Sequence, residues 1–135
     1  MQITRQTEYA VKILMELASH PFGQMVSSRS IAENKQIPEH FLQKTIQLLV
    51  KAGMVTSQKG RGGGVRLVRP GDEFTIYDVL VAIEGPLAIN VCLKQFYECP
   101  NLKTCRVRKL FGEAQNALFD VLNGKTIAEL VNENE

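Results

Sequence analysis

Apolar positions recur along the chain first at helical and then at strand spacing, and the order of these stretches is informative. From about Thr4 to Ser19, the residues Ala10, Ile13, Leu14 and Leu17 fall at i, i+3, i+4 and i+7. That period predicts an amphipathic helix, with Thr4 able to cap it and Pro21 and Gly23 able to end it. A short second helix is predicted around Ile31 and Ala32, with Ser28 as N-cap and Ser30-x-x-Glu33 as a second capping option. Gln36-Ile37-Pro38 reads as a turn, with Pro38 suited to the first turn of the next helix. The third helix is expected from about Glu39 to Ala52. Its buried stripe would be Phe41, Leu42, Thr45, Ile46, Leu49 and Ala52, with Gly53 just past the end. Its other face carries Glu39, His40, Gln43, Lys44, Gln47 and Lys51, all able to hydrogen-bond.

The period then changes. Met54–Ser57 and Val65–Val68 read as two strands of a hairpin, joined by Gln58-Lys59-Gly60-Arg61-Gly62-Gly63-Gly64. The glycines permit positive φ and close backbone approach, and Lys59 and Arg61 place charge at the tip. Thr75-x-x-Asp78 is a capping box ahead of Val79, Leu80, Ala82 and Ile83, so a fourth helix is expected, stopped by Gly85-Pro86. Residues 86–105 read as an irregular loop, of a length that is usually functional in a compact domain. A last long helix is expected from about Leu102 to Asn123, with Leu110, Ala114, Ala117 and Val121 repeating at three and four. This seam predicts a dimerisation helix. Folding of the helix back on its own core stays open, because amphipathicity alone does not separate the two. Thr126-x-x-Glu129 can cap a short turn before an acidic tail.

The expected fold is therefore mainly α with a small β-hairpin wing. It divides into a winged helix-turn-helix domain over 1–85, a cysteine-bearing loop over 86–106, a dimerisation helix over 102–123 and an acidic tail over 124–135. Two helices joined by a tight turn and followed by a basic glycine-rich hairpin match a winged helix-turn-helix. Helix three would lie in the major groove with His40, Gln43, Lys44 and Gln47 at base edges, and Ser28, Arg29 and Glu39 beside them. Lys59, Arg61 and Gly62 would meet phosphates or a narrow minor groove. A nucleotide phosphate loop is the rival, but the Walker Lys-Ser/Thr ending and a following helix are missing.

Charge sharpens this picture. The chain of 135 residues has a formal net charge of only +2. Residues 40–71 hold six Lys or Arg and no acid, whereas residues 113–135 hold five acids and one Lys. A basic middle with an acidic end points to a polyanion partner touching the middle only, which for a winged helix-turn-helix means double-stranded DNA, against the plainer reading of a solvated basic face. Apolar runs stay far below the roughly 20 residues that cross a bilayer, and the first residues do not form a signal-peptide apolar region, so a cytoplasmic location with no membrane partner is expected.

The three cysteines, Cys92, Cys99 and Cys105, all fall within fourteen residues. Thiols gathered this closely suit a metal site, although the spacing is neither that of a zinc ribbon nor of a redox Cys-x-x-Cys pair. Structural zinc, a thiol sensor and simple buried cysteines remain alternatives. No His lies within fifty residues of Cys92 and no nucleophile–base constellation stands out, so neither catalysis nor a small-molecule substrate is expected.

Several segments together carry a family resemblance. They are Ser28-x-x-Ile31-Ala32, Ile37-Pro38-x-x-Phe41-Leu42-x-Lys44, Leu48-x-x-x-Gly53-Met54-Val55, the wing Lys59-Gly60-x-Gly62-Gly63-Gly64, and Thr75-Ile76-x-Asp78-Val79. From Met1 to about Asn123 the chain resembles the Rrf-two family of bacterial winged-helix regulators. The three-cysteine loop before a long helix looks like its iron–sulfur branch, which includes the iron–sulfur cluster regulator and the nitric-oxide-sensing repressors. The resemblance implies a homodimer, an iron–sulfur cluster ([2Fe–2S] ahead of [4Fe–4S]) and cluster-controlled DNA binding, with repression of cluster-assembly genes. It also marks a departure. Where the cluster regulator carries a His three residues after the last cysteine, this chain has Arg108, which is no ordinary metal ligand. The related redox branches point instead to Glu8 as the fourth ligand, supplied from within the chain or by the partner subunit. Some relatives also carry Glu at the position of Gln43.

Overall fold

The computed structural model describes residues 3–133. The order is α1 (Arg5–Ala18), α2 (Ser28–Lys35), α3 (Glu39–Lys51), β1 (Val55–Gln58), β2 (Gly64–Leu67), α4 (Ile76–Glu84), α5 (Arg106–Asn123) and α6 (Ile127–Asn132). Single 3-10 turns stand at Gly71–Glu73 and Val91–Leu93. The mainly α architecture with a hairpin wing is thus as expected. Met1, Gln2 and the last two acidic-tail residues, Asn134 and Glu135, lie outside the described residues.

Local chemistry sets most boundaries. The Thr4 hydroxyl caps α1 by accepting from the Thr7 N–H. Thr75 and Asp78 make both bonds of the capping box at α4. Gln36 takes a left-handed φ of 54°, and the Ile37 N–H donates back to the Ala32 carbonyl at 3.1 Å. This closure ends α2 and turns the chain tightly into α3. The core joins Ala10, Ile13 and Leu14 of α1 to Ile31, Leu42, Leu49, Val55, Val65, Phe74 and Val79.

The hairpin is antiparallel, with Val55 opposite Leu67 and Thr56 opposite Arg66. Val26 adds a bridge to Val65 through two backbone bonds of 2.9 and 2.8 Å, which fastens the wing base to the strand-like approach to α2. Two wing glycines are sterically required. A Cβ on Gly63 would stand 2.2 Å from the Gln58 carbonyl oxygen, and one on Gly64 would stand 2.3 Å from that of Val26.

Four expectations need correction. Ser27, not Ser28, caps α2, its hydroxyl accepting from the Ser30 N–H at 3.1 Å. Phe41 and Ala52 are exposed rather than part of the buried stripe of α3. The fifth helix starts at Arg106 rather than Leu102, because Cys105 caps it and residues 101–104 are turn. The segment from 124 is not simply a tail. Its α6 folds back, Ile127 is fully buried, and the Ile127 N–H donates to the Phe74 carbonyl at 2.9 Å.

Candidate nucleic-acid interface and cysteine loop

The α2–turn–α3 unit and the wing enclose an open polar cleft. Ser27 and Ser28 line it from the start of α2, Gln43, Ile46 and Gln47 from α3, and Ser57 to Gly60 with Gly63 and Gly64 from the wing. Of the residues expected to meet DNA, Ser28, Gln43, Gln47 and Lys59 therefore come together. Lys44, Arg61 and Gly62 are exposed but do not line the cleft. Arg29 points along α2 to Glu33 at 3.1 Å. His40 is exposed, but its ring leans on Phe41 with centroids 4.2 Å apart, and Phe41 meets Tyr9 at 5.7 Å. That stacking explains why Phe41 stays at the surface: it completes an aromatic row at the start of α3 instead of entering the core. Gln43 donates from its amide nitrogen to the Glu39 carboxylate, one helical turn back, at 3.3 Å.

Sequence reasoning missed Ser27, Ser57 and Gln58 as cleft residues. The Ser27-Ser28 pair was visible, but which serine caps follows from the Val26 bridge that sets the approach. Ser57 and Gln58 carry no charge and so gave no signal.

The cysteine loop has a different character. All three thiols are free and half-buried. The Cys92 sulfur accepts from the Asn90 amide at 3.4 Å, and the Cys105 sulfur accepts from the Arg108 backbone N–H at 3.4 Å. The Arg108 guanidinium in turn donates through Nε to the Cys92 carbonyl at 3.2 Å. Arg108 thus ties the first and last cysteines of the loop to one another. Cys99 lines a hollow of its own with Tyr97, Pro100 and Lys103. Phe96, in the same loop, is 90% exposed with a φ of 63°.

Three free thiols, two of which (Cys92 and Cys105) accept N–H bonds, suit an iron–sulfur cluster chemically, one ligand short of four. The loop does not gather them: among the described residues, no three His, Cys, Asp or Glu side chains group as a metal site. Glu8 is therefore not assembled with the cysteines within the chain. Its carboxylate pairs with Lys12 and Arg5, each at 3.2 Å. The Lys12 ammonium, with Arg5 adding to it, holds the Glu8 carboxyl below the usual carboxylate range. Glu8 borders an apolar pocket formed by Ile3, Val11, Met15, Ile76, Leu80 and Leu122. His20 is bound to Glu16 at 3.4 Å and Gln24 at 3.1 Å.

A helix-turn-helix with a basic wing across a polar cleft defines a winged-helix DNA-binding protein. Residues 3–133 match the Rrf2 family, described as an iron-dependent transcriptional regulator. The chain belongs to that family, the same one its motifs resemble. It is 40% identical over 133 residues to protein aau3 of Rhizobium meliloti, covering 97% of this chain and 85% of that one. A structure of CymR, the global cysteine regulator of B. subtilis, superposes with a TM-score of 0.80 at 28% identity, covering 100% of this chain and 99% of that one. The IscR of T. potens superposes with a TM-score of 0.78 at 26% identity, covering 100% and 89%. The family and these neighbours are transcription regulators, not enzymes. Among the described residues, no helix is long and apolar enough to cross a membrane.

Proposed function

We propose that the chain is a homodimeric repressor whose grip on double-stranded DNA is set by an iron–sulfur cluster at Cys92, Cys99 and Cys105, with Glu8 of the partner subunit as fourth ligand. One observation carries the reading. Cys105 is at once a loop thiol and the N-cap of α5. Whatever holds the thiols therefore also holds the start of the helix whose outer face is an unburied apolar stripe. Leu110, Ala114, Ala117 and Val121 are all exposed at spacings of four, three and four. The likeness to IscR, the family description and the run of three thiols support the cluster, and genes of cluster assembly are the targets that this likeness suggests. When bound, the cluster supplies a redox- and iron-sensitive link between the loop's thiols. The chain's own part is positional: Arg108 joins Cys92 to Cys105, and Cys105 starts α5.

A second reading has its own support. The thiols stand ungathered, and the likeness to CymR is as close as that to IscR, so a regulator answering to thiol chemistry without a cluster is the rival. Anaerobic purification with iron and sulfide counts, a visible spectrum and parallel DNA titration separates the two. The cluster reading expects iron and sulfide together, loss of both in Cys92→Ala, and a shift in DNA affinity on loss. Colourless protein whose affinity responds to thiol oxidation supports the rival, and one zinc per chain sinks both. A Glu8→Ala protein with an equally stable cluster removes Glu8 from the ligand set.

A further inference from the structure

The Gln43–Glu39 bond has a consequence for which base pair the cleft reads. A carboxylate has only acceptors, so the Gln43 atom facing Glu39 must be the amide nitrogen, and the side chain's orientation is set by chemistry. A primary amide has two N–H groups. One lies beside its own carbonyl oxygen, and the other points back towards the aliphatic stem. Glu39 stands one turn towards the helix N-terminus, within reach of the amide nitrogen, and the adenine reading has it hold the stem-side N–H. What remains free is the carbonyl oxygen with the N–H beside it. That pair is the complement of adenine, whose N6–H donates and whose N7 accepts in the major groove. Guanine offers two acceptors at that edge and would leave the Gln43 oxygen facing another oxygen.

We infer that Glu39 is a positioning residue that locks the Gln43 amide for adenine, and so sets an A·T preference at one position of each half-site. This rests on the reading of the cleft as the DNA-reading surface. Gln43 lines that cleft between α2 and the wing, where a base edge would enter, whereas Glu39 lies outside the lining and acts through Gln43. An unheld glutamine would rotate its amide and serve adenine and guanine alike. A glutamate at position 39 that merely repelled phosphates would lower affinity for every sequence equally.

The test starts from duplexes selected by the wild-type full chain out of a random 20-base-pair library, followed by affinities for all four base pairs at each selected position. A wild type that selects no sequence overturns the DNA-reading cleft itself. Given a selected site, the wild type should favour A·T over G·C by about tenfold at one position per half-site, the discrimination typical of one bidentate pair. Glu39→Ala should abolish that preference at that position alone. Glu39→Gln, whose amide oxygen can still accept the bond, should keep part of it. In a Gln43→Ala background, Glu39→Ala should change nothing further there. If Glu39→Ala leaves the preference intact, or shifts affinity alike for all four base pairs, the positioning role is overturned while the cleft reading stands. Both Glu39 and Gln43 are exposed, so the variants keep their fold.

Discussion

The residues up to Glu84 and those from 86 to 123 fold by different rules. Except for Ile127, every buried apolar residue among the described ones belongs to the first region, and several, such as Ile13, Leu42, Phe74 and Val79, are fully enclosed. The second region has no fully buried residue in its 18-residue helix α5. Its inner edge leans on α4, where Phe119 meets Tyr77 with centroids 4.9 Å apart. Its outer stripe lies open, with Leu110 at 61% and Val121 at 72% exposure. The DNA-reading half encloses its own core. The loop and α5 show apolar surface whose cost depends on what covers it.

The sharpest way to break this contrast is to remove the same kind of group from each region. Phe74 is fully buried, stacks under the Arg69 guanidinium at 4.7 Å and receives α6 through its carbonyl. Phe74→Ala should cost about 3–5 kcal/mol in urea unfolding and release α6 as well. A loss below about 1 kcal/mol would mean that the first region is not held by this core. In α5, Leu110→Asp together with Val121→Asp should leave far-ultraviolet circular dichroism nearly unchanged. Sedimentation should change instead, with the proposed dimer replaced by monomer at micromolar concentration. Buried charge at the centre of an apolar interface is poorly tolerated, whereas the same charge in solvent is not. A double variant that stays dimeric would place the interface elsewhere.

The same contrast governs what could be read from the chain. Helices α1, α3 and α4 were legible because period and caps are local, and the Thr75–Asp78 box makes both of its expected bonds. The tip of the wing was legible because glycines and charges coincide there. The cap of α2 was misplaced by one residue, since two adjacent serines are equally competent and the Val26–Val65 bridge, a long-range contact, chooses between them. The start of α5 was misplaced because a cysteine is not among the residues that usually cap helices. Acid content masked α6, whose docking rests on one apolar side chain and a backbone bond to Phe74. In the cysteine loop, spacing showed that the thiols were near in sequence. It could not show that Arg108, excluded as a ligand, instead bonds Cys92 and caps with Cys105.

The smallest expected effect lies where the first region ends. Glu84 is the last residue of α4, and its carboxylate accepts from the Thr7 hydroxyl at 2.7 Å and from the Thr4 hydroxyl. Burial is the largest single influence on this carboxyl and pushes its pKa up. The two hydroxyls and the Thr4 backbone together outweigh it, so the group lies below the usual carboxylate range. A carboxyl depressed in the folded state adds stability above its unfolded pKa and loses it as pH falls through the folded one. Glu84→Gln keeps an acceptor for one hydroxyl but loses the charge. At pH 7 it should melt about 3 °C below wild type, the scale of one or two modest hydrogen bonds in a domain of this size. On acidification below the ordinary carboxylate range, the gap should close, because the wild-type side chain becomes neutral too. A gap that stays constant from pH 7 down through that range would show that Glu84 holds α1 by shape alone, and that its charge plays no part in fastening the end of α4, where the loop departs, to α1.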